Sequence, residues 1–87
     1  MNVEIRHTLL KDIKKIPKTA KVKLEETYHA LKTCEEITGL PHVKKLKGHE
    51  GFYRIKIGDY RLGFLLENDR IILLRFLHRK EIYRFFP

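Results

Sequence analysis

Eighty-seven residues, 43% of them hydrophobic, suffice for one core and fall short of the usual span of two, so a single domain over residues 1–87 is expected. Nineteen Lys and Arg against eleven Asp and Glu leave a net charge of +8; on so small a body that means a strongly positive surface, whose expected partner is a polyanion. The single cysteine, Cys34, excludes an intramolecular disulfide and a cysteine-based metal cluster, no stretch approaches the roughly 18 apolar residues of a membrane span, and Met1–Arg6 lacks the apolar run of a secretion signal, so a reducing cytoplasm is the expected location and no membrane partner is expected.

Met1, Val3 and Ile5 alternate with Asn2, Glu4 and Arg6, the period of a strand with one buried face. Thr8 is placed to cap a short helix carrying Leu9, Ile13 and Ile16 at helical spacing, with Lys11, Lys14 and Lys15 on its solvated side and Pro17 as its end. A longer helix is predicted from near Thr19, since Leu24, Tyr28, Leu31 and Cys34 recur at three- and four-residue intervals and Gly39 with Pro41 supplies a stop. Its apolar stripe is assigned to the core, and Cys34 to an inert hydrophobic role.

Residues 40–51 hold Pro, two Gly and three Lys without sustained periodicity and read as a surface loop. From Phe52 the chain forms a hairpin about a two-residue turn at Gly58-Asp59, turns again at Asn68-Asp69, and runs from Arg70 to Leu77 as an interior strand, apolar apart from Arg75. The fold class is therefore α+β: an N-terminal strand, a helical hairpin, then a three-stranded antiparallel meander, in one mainly antiparallel sheet with helices on one face.

Charge is unevenly spread. Residues 1–40 carry eight basic and six acidic side chains (+2), residues 41–87 eleven and five (+6). With Gly58-Asp59 as the turn, Lys56 pairs with Arg61 and Arg54 with Gly63, so one face of the hairpin gathers Arg54, Lys56 and Arg61 while Tyr53, Ile55, Ile57, Tyr60, Leu62 and Phe64 line the other. Two like charges directly opposite each other weaken a sheet. The face is either a solvated one with splayed side chains or an anion site whose strain a bound phosphate relieves. Gly63 leaves room there for a ligand, and carrying the register past Asn68-Asp69 puts Leu74, Phe76 and His78 on the same side.

The segment Tyr53-Arg54-Ile55-Lys56-Ile57-Gly58-Asp59-Tyr60-Arg61-Leu62, preceded by Leu46-Lys47-Gly48 and followed by His78-Arg79-Lys80-Glu81-Ile82-Tyr83, resembles the RelE branch of the RelE/ParE toxin superfamily. The resemblance extends over nearly the whole chain. It implies a toxin of a toxin-antitoxin pair: a ribosome-dependent endoribonuclease that enters the decoding site, cleaves the exposed mRNA codon, and is silenced by a cognate antitoxin. The family's site residues fall on Arg54, Lys56, Arg61, Arg79 and Tyr83. Two features depart from the pattern: Arg54 stands where the best-studied branch has a lysine, and Arg79 and Tyr83 are closer together than there. His78 is a second candidate acid, because several branches are similar in having an active-site histidine.

Metal-independent RNA cleavage needs a base for the 2′-OH, cations for the phosphorane and an acid for the departing 5′-oxygen. Lys56, flanked by Arg54 and Arg61, is the candidate base; Arg61 and Arg79 hold the phosphate; Tyr83 or His78 is the acid; Arg54 binds RNA. Lys44, Lys45 and Lys47 are either a solvated loop or a further contact with RNA backbone. The remaining histidines, His7, His29, His42 and His49, stand at no metal-ligand spacing, so neither metal nor cofactor is expected. The aromatic residues of Tyr83–Phe86 are expected either to fold back on the sheet, the favoured reading, or to meet a partner. Two other functions share this fold: a ParE-like poison of DNA gyrase, which has no need of three cations on one face, and an inactive homologue that binds antitoxin or operator DNA.

Overall fold

A computed structural model describes all residues, Met1–Pro87. In chain order it contains β1 (Asn2–Ile5), α1 (His7–Ile13), α2 (Lys18–Thr33), a single 3₁₀ turn at Ile37–Gly39, β2 (Val43–Lys45), β3 (Phe52–Ile57), β4 (Tyr60–Glu67), β5 (Arg70–His78) and α3 (Ile82–Phe85). The five strands form one sheet in the order β1-β5-β4-β3-β2, with β1 parallel to β5 and every other pairing antiparallel.

Alternation decides which side of the sheet the helices cover. Ile55 and Ile57 of β3, Leu62 and Phe64 of β4, and Ile71, Leu73 and Phe76 of β5 join Leu9, Ala20, Leu24 and Leu31 of the helices in one buried cluster. Burying each such Leu, Ile or Phe side chain contributes about 1.5–3 kcal/mol, and this cluster fixes α1 and α2 to one face. On the opposite face α3 and the residue after it dock, burying Ile82 and Phe86.

Local departures from expectation have physical causes. Helix α1 starts at His7 with Arg6 in the cap position, two residues earlier than a Thr8 cap requires, and the Thr8 hydroxyl donates instead to the carbonyl oxygen of Leu74, 2.7 Å away. Helix α2 stops at Thr33, well before Gly39. Beyond the Cys34 cap come Glu35 and Glu36, and negative charge at a helix C-terminus opposes its dipole. The stretch expected as loop contains β2, whose Val43, Lys44 and Lys45 pair with Ile55, Arg54 and Tyr53. Three residues are too few to show alternation, and the two lysines suit an exposed sheet edge.

The most consequential departure lies in β5. Pairing runs as expected from Glu67–Arg70 to Phe64–Leu73, but the next pair is Gly63–Arg75, leaving Leu74 as an extra residue. A bulge of this kind reverses which face the following side chains take. Phe76 and His78 therefore stand on the helix side, and Arg75 and Leu77 take the opposite face, contrary to the expected placing. Helix α1 reinforces the irregularity beyond the end of β1: Thr8 bonds the Leu74 carbonyl, and a buried Asp12 carboxylate accepts the Phe76 N–H at 3.0 Å.

Candidate active site on the open sheet face

The tight Gly58-Asp59 turn, with Gly58 at φ 60°, locks β3 and β4 in the expected register. Two cross-strand rows follow on the face away from α1 and α2. One contains Lys44, Arg54, Gly63 and Arg75; its neighbour contains Lys56, Arg61 and Leu77. Arg54, Lys56 and Arg61 thus share a face, and the edge strand adds Lys44. The salt bridges of the protein are His29–Glu25, Arg70–Glu4, Arg70–Glu67 and Arg75–Asp12, so none of these four cations is neutralised by an acid.

Their near neighbours explain how like charges coexist. The Arg61 guanidinium turns back toward the hairpin turn, where Nη1 donates to the carbonyl oxygens of Gly58 and Tyr60, each at 2.9 Å. Neutral carbonyls hold the group in place without cancelling its charge. Arg54 answers its crowding by a cation–π contact, its Cζ standing 4.7 Å from the centre of the Tyr83 ring. Tyr83 is 68% exposed, on the solvent side of α3. Lys56 is exposed.

The other expected site residues divide. Arg79 is exposed, and its backbone N–H donates to the Asp59 carbonyl at 2.8 Å, which sets it beside the turn that Arg61 also touches. His78 lies across from Tyr60, their rings edge to face at 5.6 Å, and its Nδ1 accepts the Lys80 N–H at 3.1 Å. The bulge at Leu74 is the reason it leaves the cationic face. The lysine cluster also splits: Lys44 is on the face, Lys45 pairs with Tyr53 and points to the helix side, and Lys47 lies in the β2–β3 loop. The space beside Gly63 is not free for a ligand, because the Phe86 ring fills it.

Asp12 and Arg75 form a pair that the sequence pattern alone does not reveal. The Arg75 fork grips the Asp12 carboxylate at 2.8 and 3.0 Å, while its Cζ stands 5.6 Å from the Phe85 ring. The hydrogen bond to Asp12 raises the Arg75 pKa, partial burial opposes it, and the carboxylate's charge raises it further; the guanidinium stays charged. A signal was present in the sequence: Arg75 is the one charge inside an apolar strand, and Asp12 the one acid in a lysine-rich helix.

Chemically, the face offers two exposed amines, two half-buried guanidinium groups without acidic partners, and an exposed phenol. Comparison with known proteins bears on what such a face serves. Residues 3–83 match the family described as ParE toxin of type II toxin-antitoxin system, parDE. Toxin RelE3 of Methanocaldococcus jannaschii is 35% identical over 88 aligned positions, covering 100% of both chains. The RelE chain in the RelB-RelE antitoxin-toxin complex from Methanococcus jannaschii superposes with a TM-score of 0.74 at 34% identity, over 97% of this chain and 99% of that one. YafQ from E. coli shares the fold, with a TM-score of 0.75 at 15% identity over 94% of this chain and 97% of that one. The chain accordingly belongs to the RelE/ParE superfamily of type II toxins, and within it is RelE-like.

Proposed function

We propose that this toxin is a ribosome-dependent endoribonuclease that cuts mRNA in the decoding site, in the cytoplasm. The observation that carries the reading is the set of cations Lys44, Arg54, Lys56 and Arg61 on one sheet face, free of acidic partners, with Tyr83 across from Arg54. Like charges held together in this way destabilise the apoprotein and favour a bound phosphate.

In the proposed mechanism the Lys56 amine takes the proton of the 2′-OH, and the 2′-oxygen attacks the adjacent phosphorus. Arg61, reinforced by Arg79 beside the same turn, stabilises the non-bridging oxygens of the phosphorane. The bond to the 5′-oxygen breaks as that oxygen takes a proton from the Tyr83 hydroxyl, leaving a 2′,3′-cyclic phosphate and a 5′-OH end. Tyr83 stands on the cationic face and His78 does not, so Tyr83 takes the acid's role. Arg54 and Lys44 extend the backbone contact along the RNA. Lysine and arginine supply the base and the cations, so the scheme requires no metal ion.

The partner that silences the protein is proposed to be a cognate antitoxin, as RelB partners RelE in the complex of its Methanococcus relative; an acidic antitoxin segment complements this surface. Primer extension on a message with and without translating ribosomes tests the function. Cuts confined to translated codons are expected. Intact message together with inhibited gyrase overturns the proposal in favour of a ParE-like poisoning of gyrase.

A further inference from the structure

Helix α3 spans only Ile82–Phe85, and a single turn cannot hold its own shape in water. Something outside it must fix where Tyr83 points. Two anchors do so. Ile82 and Phe86, four residues apart, are buried on the sheet, with 1% and 6% exposure, and the Phe86 ring lies 5.8 Å from that of Phe52. On the other side Phe85 rests on the Arg75 guanidinium, which Asp12 locks by two hydrogen bonds.

The first anchor depends on one missing atom. A Cβ on Gly63 would lie 2.8 Å from three carbons of the Phe86 ring, nearer than real Cβ atoms come. Glycine weakens a strand interior, so a residue with no side chain to contribute needs a reason at the centre of β4. Gly63 is also directly opposite Arg54. A ring seated on Gly63 therefore lands beside Arg54, and the residue three positions earlier on the same turn, Tyr83, faces the Arg54 guanidinium.

We infer that Gly63 and Phe86 are positioning residues: the ring seated in the glycine gap sets Tyr83 against Arg54, with the Phe85–Arg75 contact as a second brace. This rests on the reading of Tyr83 as a site residue. Neither Gly63 nor Phe86 touches substrate in this scheme; they act through Tyr83.

The test uses the full chain and reads the ring-current shift of the Arg54 side-chain protons by NMR, alongside kcat and KM for cleavage of ribosome-bound message. In Gly63→Ala the shift is expected to vanish while the remaining sheet resonances persist, and kcat to fall on the order of 100-fold with little change in KM. Phe86→Leu in the Gly63→Ala background makes room for the added methyl and is expected to restore part of both the shift and kcat. An unchanged shift in Gly63→Ala, or no recovery in the double variant, overturns the inference. Should Gly63→Ala fail to fold, Phe86→Ala decides it, read by the nuclear Overhauser contacts between the Tyr83 ring and the Arg54 side chain, their loss supporting the inference and their persistence overturning it. A native protein that cuts no message defeats the proposed function, while the NMR shift still decides the positioning.

Discussion

The two faces of the sheet obey different rules. On the helix side, Ile55, Leu62, Phe64, Leu73 and Phe76 are almost completely buried against α1 and α2, and side-chain alternation, packing and stability all favour the same residues. Across the sheet, Lys56 stands opposite Arg61, Lys44 opposite Arg54, and glycine occupies the middle of a strand. Arg75 provides the control within the same molecule. It shares a row with Arg54 and Gly63, yet its charge is answered in full by Asp12. The cation that serves the architecture of this face has a carboxylate partner; the four without one are those proposed to meet RNA.

The largest expected effect separates function from fold. Lys56→Ala and Arg61→Ala should each lower cleavage of ribosome-bound message by about 10²–10⁴-fold, with thermal melts close to native; unimpaired cleavage in both variants removes the distinction between the faces. Asp12→Ala should act first on the fold. It strands the Arg75 charge and the Phe76 N–H, costing about 3 kcal/mol, the low end for a buried pair because Arg75 retains some solvent contact, and lowering the melting temperature on the order of 15 °C. A melt within a degree or two of native contradicts the role assigned to that pair.

A smaller effect concerns salt. Four phosphate-binding cations imply a slope of about −3 for the logarithm of single-stranded RNA affinity against that of salt concentration, and Lys44→Ala should make it shallower by about 0.7. Filter binding across a salt series measures both. An unaltered slope removes Lys44 from the interface. The smallest effect is a gain: Lys56→Glu turns a like-charge pair with Arg61 into an opposite-charge one and should stabilise the fold by about 0.2–1 kcal/mol in denaturant melts. Destabilisation there means that the pairing carries no strain.

Much of this architecture was legible in the sequence, for reasons specific to particular residues. A two-residue turn at Gly58-Asp59 leaves β3 and β4 one register, so the placing of Arg54, Lys56 and Arg61 together followed directly. β2 escaped notice because three residues carry no period. The far half of β5 was misplaced because its bulge is a tertiary feature: Thr8 and Asp12 of α1 bond the backbone at Leu74 and Phe76, and no local pattern within β5 announces that. His78, beyond the bulge, changes face with the rest of the strand end. Gly63 was recognised as a gap, but its occupant, Phe86, lies 23 residues further along the chain. Asp12 and Arg75 were each conspicuous in composition; only the fold shows that they meet.

The central claim is that charge crowding on the open face exists for RNA and not for the fold. Single-turnover cleavage of a ribosome-bound message by Lys56→Glu protein, at a temperature where its melt shows it folded, tests this most directly. A loss of at least about 100-fold in rate is predicted from a protein as stable as the native one or more so. Cleavage at the native rate contradicts the account.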